Sequence, residues 1–417
     1  MELKEFSAYA NSFQTTARLK LESITLLLDF LSHPERELEF IHVAGTNGKG
    51  SVCAFLQEIF TSAGYRCGKY TSPNLISVCE RISIDGVEID EKELDEIMAE
   101  VKKACQKAAQ KLGDMPTQFE IWTAAAFCYF KKKKCDMVIL ETGLGGVRDA
   151  TNVIPAPRAS VICRIAMDHT AYLGNTLAEI ASQKAGIIKK RAGGLTVTLR
   201  QSDEVMEVFR SACAECENTL AIAETPVVHS PDSMYEVFDY KNIKNLISGI
   251  AGYHQLENAA LAIETAIRLG IDESAIRSGI KKAKNRGRFE LVGENLIFDG
   301  AHNPNGTAAL VLGLKRYFPN VTPSFVMAFM ADKDIRSAAE NINNAYPGAK
   351  VYTATVLGNP RAESAAKLAE ILNSCGLDAI AADDIKSAVS LARAAAPLTV
   401  ICGSLYLYKD FSETFRN

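Results

Sequence analysis

Apolar and polar positions fall into blocks along this chain. Glu39–Ala44 (EFIHVA) is a short apolar run ending at Gly45, and its length predicts a buried strand. From Ser51 to Ala63 apolar residues recur at helical spacing, which predicts a helix beyond a glycine-rich connection. Strand-length apolar runs return at Asp136–Leu140, Ser160–Ala166, Leu296–Phe298, Ser324–Phe329, Lys350–Thr355, Ala379–Ala381 and Leu398–Ile401. Helical periodicity fills the intervals, as at Phe119–Tyr129, Leu177–Ile188, Leu256–Leu269 and Glu363–Leu372. Strands alternating with helices predict the α/β class, with parallel sheets wrapped by helices. Such sheets bind ligands at the carboxyl ends of their strands, so those ends are where chemistry is sought.

The segment Lys281–Arg288 (KKAKNRGR) is charged, contains Gly287, and separates the Leu256–Leu269 helix from a fresh series of strands. It predicts a boundary between domains 1–287 and 288–417. At ~100–200 residues per domain, 417 residues suit two domains with substantial cores.

Composition narrows the class. The chain is 47% hydrophobic and 23% charged, which excludes disordered and fibrous classes. Its 46 Lys+Arg against 50 Asp+Glu leave no basic excess to suggest a nucleic-acid partner. No apolar run approaches the ~20 residues of a membrane helix, and MELKEFSAYA lacks the apolar centre of a secretory signal. Eleven cysteines, an odd number often set in apolar stretches (Cys163, Cys402), fit reduced thiols and a cytoplasmic location. Cys213 and Cys216 form one CxxC without a second ligand pair, so they read as packing thiols rather than a zinc site. Lys131–Lys134 follows an apolar helix and reads as a solvated C-terminal cap that complements the helix dipole.

Gly45-Thr46-Asn47-Gly48-Lys49-Gly50-Ser51 joins the first strand to the first long helix. Its glycines let the backbone approach phosphate oxygens, the helix start offers N–H groups, and Lys49 supplies a positive charge. This is phosphate-loop logic with unusual spelling: Gly50 stands where Ser or Thr is common after the lysine, and Val43 where the first glycine is expected. The hydroxyl for Mg²⁺ is therefore displaced to Ser51 or comes from elsewhere. Three further apolar runs lead into polar groups: Glu141, then Thr142–Gly146; Met167-Asp168-His169; and Asp299-Gly300-Ala301-His302-Asn303-Pro304. Carboxylates and an imidazole at strand tips near a phosphate loop suit Mg²⁺. Lys184, amid Ala181, Ala185, Ile187 and Ile188, fits a surface lysine as well as a site lysine. Tyr70–Leu75 suits a rigid loop beside phosphates and an ordinary turn equally.

Taken in order, HVAGTNGKGS (42–51), TSPNL (71–75), ERI (80–82), ETGLGGVRDATN (141–152), DHTAYLG (168–174), KAGIIK (184–189), HQLENAALA (254–262), GRFE (287–290), FDGAHNP (298–304), MADKDI (330–335), NPRAES (359–364) and CGSLYL (402–407) resemble the folylpolyglutamate and dihydrofolate synthases of the Mur ligase group. The resemblance implies an N-terminal P-loop NTPase-like domain, a C-terminal Rossmann-like domain, and an active site in the cleft. It implies ATP as co-substrate, bound by Gly45–Ser51 with Asn258, Arg288 and Asp299. It implies Mg²⁺ on Ser72, Glu141, His169 and a carbamylated Lys184, and leaves a monovalent-cation requirement open. Phe119, Glu120, Asp149 and Ala150 resemble the folate pocket, to which Ala17–Leu19 are weaker additions; His302 and Ser404 resemble glutamate contacts. Lys49, His169, Lys184 and His302 are the implied catalytic set. The text GLGGVRDATN places Arg148 one position later than the family's usual arginine, which bears on substrate preference.

The implied reaction is ATP-dependent addition of L-glutamate to dihydropteroate, to reduced folates, or to both, by a monomer with no nucleic-acid or membrane partner. A synthase for only one acceptor, a P-loop phosphotransferase and a nucleotide switch without chemistry are the alternatives. Glutamate-dependent phosphate release separates the ligases from the last two.

Overall fold

The computed structural model describes residues 21–229 and 234–415, so Ala17–Leu19 lie outside the described residues. The chain divides into two compact units: Met1–Val227 with Phe238–Ile247 and Glu257–Lys284, and Val228–Val237 with Ser248–Leu256 and Asn285–Asn417.

The first unit is built on eight strands. They are β1 (Phe40–Ala44), β2 (Cys67–Tyr70), β3 (Ile82–Ile84), β4 (Val87–Glu88), β5 (Met137–Glu141), β6 (Ala159–Ile162), β7 (Leu195–Leu199) and β8 (Thr219–Ala223). Their order is β4-β3-β2-β5-β1-β6-β7-β8. From β2 to β8 every pairing is parallel. Strands β1, β5, β6 and β7 are buried throughout, which explains their unbroken apolar spelling. On one side Phe127, Phe130, Trp122, Ile121 and Ile97 belong to a single buried cluster with Phe40, Val138 and Leu140. Burying each such side chain contributes roughly 1.5–3 kcal/mol. β9 (Val227–Val228), β10 (Val237–Tyr240) and β11 (Ile243–Ile247) form a separate small sheet in the order β11-β10-β9.

The second unit carries β12 (Glu290–Gly293), β13 (Leu296–Phe298), β14 (Ser324–Met327), β15 (Lys350–Thr353), β16 (Asp378–Ala381) and β17 (Thr399–Cys402), in the order β12-β13-β17-β14-β15-β16. All pairings except β12–β13 are parallel. The α/β class expected from the alternation is what the chain adopts.

Several expectations need correction. Neither large sheet is wholly parallel, because β3, β4 and β12 run antiparallel at the edges. The β3–β4 turn is Asp85-Gly86, both at positive φ (52° and 79°), an Asp-Gly hairpin signal that the helix–strand alternation obscured. The run Ser160–Ala166 stays in the sheet only to Ile162, because the backbone beyond it bonds the phosphate loop instead. The helix expected at Leu177–Ile188 stops at Ala185, with Gly186 as its cap.

The domain boundary also differs, since the second unit takes Val228–Val237 and Ser248–Leu256 from the stretch assigned to domain 1–287. Buried Glu236 explains this. Its carboxylate accepts bonds from Arg316 Nε (2.6 Å) and Nη2 (3.2 Å) and from Tyr317 Oη (2.6 Å), and Arg316 lies 4.7 Å from the ring centre of Tyr253.

Lys131–Lys133 are not simply solvated; they pair with Glu37, Glu96 and Glu93 respectively. All eleven cysteines are unpaired, with Cys213 buried and Cys216 half-buried. Among the described residues, no helix is long and apolar enough to cross a membrane.

Candidate active site

Four neighbouring strands of the first unit, β2-β5-β1-β6, bring their carboxyl ends side by side. Those ends deliver, in the same order, Ser72, Glu141, the Gly45–Ser51 loop and the segment leading to Asp168 and His169. This is the side of a parallel sheet where ligands bind.

The loop's shape is set by two glycines. Gly45 has φ 152°, and a Cβ there would lie 2.6 Å from Cβ of Cys163. Gly48 has φ 92°, and its Cβ would lie 2.2 Å from Asn258 Oδ1. Any side chain would be both strained and crowded at either position. Gly48 is also the N-cap of the Lys49–Ser62 helix and makes no side-chain hydrogen bond there. Thr46 anchors the loop to the next strand end. Its N–H donates to Arg164 O (3.0 Å), its hydroxyl donates to Ala166 O (3.1 Å), and Ala166 N–H donates back to that hydroxyl. Arg164 pairs in turn with Glu257, one residue before Asn258.

Two ammonium groups converge on Gly45 O: Lys49 Nζ at 3.1 Å and Lys184 Nζ at 2.8 Å. Lys184 is buried, at 4% exposure. Burial, with the positive charge of Lys49 second, lowers its pKa to about 7, while Asp168 opposes the shift. Lys184 is therefore not a surface lysine: it lies buried beside the phosphate loop. Glu141 is buried at the tip of β5, and its Oε2 accepts the Ser72 N–H at 3.1 Å. Burial, with the Glu141 charge second, pushes up the pKa of Cys53 in the helix opened by Lys49. The structure thus gathers Lys49, Ser72, Glu141, Lys184 and the phosphate loop. His169 stands exposed at positive φ (51°), its N–H bonded to Asp168 Oδ1 at 2.9 Å.

A hard divalent cation suits this set. Mg²⁺ takes one or two carboxylates and leaves other positions to phosphates and water. Glu141 is such a carboxylate, with the Ser72 hydroxyl on the loop bonded to it. Among the described residues no group of three His, Cys, Asp or Glu is assembled, so an all-protein cage of the kind a softer metal uses is not present there.

On the other side of Glu141, Phe119 packs against Tyr70 (centroids 6.0 Å apart), and its ring would meet a Cβ on Gly143 at 2.6 Å. Glu120 is buried and serves the helix Gln118–Lys132 as a capping box with Thr117; it also accepts from Ser23 Oγ at 3.1 Å. Asp149 is buried and accepts from Leu144 N (2.7 Å), Thr151 N (3.0 Å) and Thr151 Oγ1 (2.6 Å). Ala150, at 8% exposure, belongs to the adjoining core. Glu120 and Asp149 therefore have structural roles of their own, apart from the folate contacts that the resemblance implies.

In the second unit, the neighbouring strands β13 and β17 lead directly into Asp299 and Gly403. Asp299 accepts from Phe289 N (2.7 Å) and Ala301 N (2.8 Å). Arg288 lies over Gly300, whose Cβ would be 3.2 Å from its Nη1. His302 Nδ1 is 2.8 Å from Gly300 O, and Gly403 N–H donates to Ala301 O at 2.8 Å. Buried Ser404 accepts Tyr406 N–H at 3.2 Å. Arg288, Asp299, His302 and Ser404 thus form one cluster. His42, Thr151 and Lys189, which no motif singles out, hold the loop after Glu141. The available signal was an imidazole inside an otherwise apolar strand.

Residues 43–266 match the Mur ligase middle domain, and residues 287–405 the Mur ligase glutamate ligase domain. A dihydrofolate synthase/folylpolyglutamate synthase of Bacillus subtilis is 35% identical over 94% of this chain and 93% of its own length. Crystal structures of Mycobacterium tuberculosis folylpolyglutamate synthase complexed with ADP and AMPPCP superpose with a TM-score of 0.90 at 28% identity, covering 100% of this chain and 98% of that one. E. coli FolC in complex with DHPP and ADP does so with a TM-score of 0.86 at 29% identity, covering 100% and 98%. The chain belongs to the Mur ligase family, within its folylpolyglutamate and dihydrofolate synthases.

Proposed function

We propose that this chain is an ATP-dependent ligase that adds L-glutamate to dihydropteroate, to reduced folates, or to both, through an acyl phosphate. The observation that carries this reading is the phosphate loop with Lys49, Lys184 and Glu141 at adjacent strand ends, in a chain 35% identical to a dihydrofolate synthase/folylpolyglutamate synthase. Relatives crystallised with ADP and AMPPCP support ATP as the co-substrate.

A carboxylate is a poor acyl donor, because its leaving group would be oxide. An oxygen of the acceptor's carboxylate attacks the γ-phosphorus, and ADP departs. The amine of glutamate then attacks the carbonyl carbon of the acyl phosphate. The tetrahedral adduct collapses, inorganic phosphate leaves, and the new amide nitrogen gives up its proton. Little covalent chemistry is asked of the protein beyond positioning and charge neutralisation. Lys49, oriented by Gly45 O, and the N–H groups of the helix start hold the transferring phosphoryl group. Ser72, Glu141, His169 and carbamylated Lys184 would hold Mg²⁺, which supplies further neutralisation of phosphoryl charge. Asn258, Arg288 and Asp299 contact the nucleotide, and His302 and Ser404 orient the incoming glutamate. Phe119, Glu120, Asp149 and Ala150 shape the pterin side. Eleven unpaired cysteines support a reducing compartment and hence the cytoplasm.

The test is to incubate the protein with ATP, Mg²⁺ and labelled glutamate, offering dihydropteroate and tetrahydrofolate separately, and to weigh the products. Mass gains of one glutamate with stoichiometric ADP and phosphate are expected. Phosphate release that does not depend on glutamate would refute a ligase.

A further inference from the structure

We propose that His42 is a positioning residue for the acceptor-side loop Gly143–Asn152, acting through Thr151 on Asp149; this rests on the reading of that loop given above. His42 lies in the middle of β1, fully buried, between Ile41 and Val43. Its register partners are Leu140 on β5 and Ser160 on β6. Its Nε2 is 2.8 Å from Thr151 Oγ1, and Thr151 Oγ1 is 2.6 Å from Asp149 Oδ1.

The direction of this chain of bonds follows from proton counting. Asp149 Oδ1 also accepts Thr151 N–H, and Oδ2 accepts Leu144 N–H, so the carboxylate serves as an acceptor. The single hydroxyl proton of Thr151 points at Asp149, and His42 must supply the N–H from Nε2. The tautomer is thereby fixed, with Nδ1 bare, and Nδ1 is the buried atom left without a partner. Burial, with the Lys189 charge second, lowers the His42 pKa to about 3, so the ring stays a neutral donor.

An imidazole with one unpaired nitrogen is a costly occupant for a buried strand position, where leucine would pack without penalty. What it provides is a donor fixed on Thr151. Thr151 and Asp149 then fix Leu144, just beyond Gly143 and the Phe119 ring. The far end of the loop is held separately, by Asn152 Nδ2 on Gly186 O (3.0 Å) and by Lys189 Nζ on Asn152 O (2.7 Å) and Ile154 O (2.6 Å). An interior residue of the central strand thus sets the wall that an acceptor meets.

The experiment compares wild type, His42→Phe, His42→Gln and Thr151→Val in glutamate-dependent phosphate release, varying acceptor and ATP independently. His42→Phe keeps the ring shape without a donor and should raise the acceptor KM about tenfold, the size of one hydrogen bond. His42→Gln restores a donor and should return that KM to within about twofold of wild type. Thr151→Val should match His42→Phe, and the double variant should be no worse than either single one. The KM for ATP should stay within about twofold throughout. An unchanged acceptor KM, or an equal rise in both KM values, overturns the proposal. If His42→Phe does not fold, Thr151→Val decides by the same criteria. A wild-type protein that turns over neither acceptor overturns the ligase reading itself, an outcome distinct from a failed variant.

Discussion

Around Gly45, two ammonium groups share one carbonyl oxygen; around Asp299, two backbone N–H groups share one carboxylate. Both clusters stand at the carboxyl ends of buried parallel strands, yet their electrostatics are opposite. At Asp299 the donors and the acceptor balance, and the carboxylate shapes its own loop. At Gly45 like charges are held together, one of them buried, and a neutral carbonyl cannot balance them. Repulsion of this kind is relieved by an anion, which a triphosphate or a carbamate would supply. The comparison teaches that residues at equivalent topological positions differ in how far their charges are balanced before a ligand arrives.

The largest break in this contrast should come from Lys49→Ala. Turnover is expected to fall by more than ~10³-fold with the circular dichroism spectrum unchanged. Near-normal glutamate ligation in this variant would remove the phosphate-binding role.

Lys184→Met should reverse the usual trade. Burial, with the Lys49 charge second, holds its folded pKa at about 7, against 10.5 for a free lysine. Between these values the unfolded chain binds the proton and the folded chain does not, so this lysine makes wild-type stability rise with pH across that window. The methionine variant should lose activity yet gain roughly 2–4 kcal/mol at pH 6, a gain that shrinks toward pH 10. Urea titrations at pH 6, 8 and 9.5 would measure it, and a pH-independent difference would contradict the assignment.

Gly48→Ala should lower kcat/KM for ATP about 10²-fold, because positive φ and the Asn258 contact forbid the side chain. An unaltered KM for ATP would show that the loop tolerates distortion. Asp299→Asn should act on the frame, costing about 1–3 kcal/mol as an amide N–H group faces a backbone donor. If that variant kept full stability and lost only nucleotide affinity, the contrast drawn between the two clusters would fail.

Much of this was legible in the sequence because parallel, doubly buried strands spell themselves as apolar runs. Leu296–Phe298 forms a strand over those same residues, and Gly45–Ser51 lies between a strand and a helix as the glycine spacing required. What escaped was set by distant partners. Arg164 and Ala166 look like more strand but bond Thr46 of the phosphate loop. The assignment of Val228–Val237 to the second unit depends on Glu236 meeting Arg316, eighty residues away. Lys184 is an ordinary helical lysine until Gly45 O and Lys49 are brought beside it. His42 could not be told from a core residue, since its partner Thr151 is 109 positions distant.

The chain has a single tryptophan, Trp122, nearly inaccessible and two positions past Glu120, with the Arg81 guanidinium 5.6 Å from its ring centre. Indole emission therefore originates at one place. A shift of the Ser72–Arg81 segment when nucleotide or acceptor arrives would move the cation beside that indole, so its emission serves as an optical gauge without an attached dye.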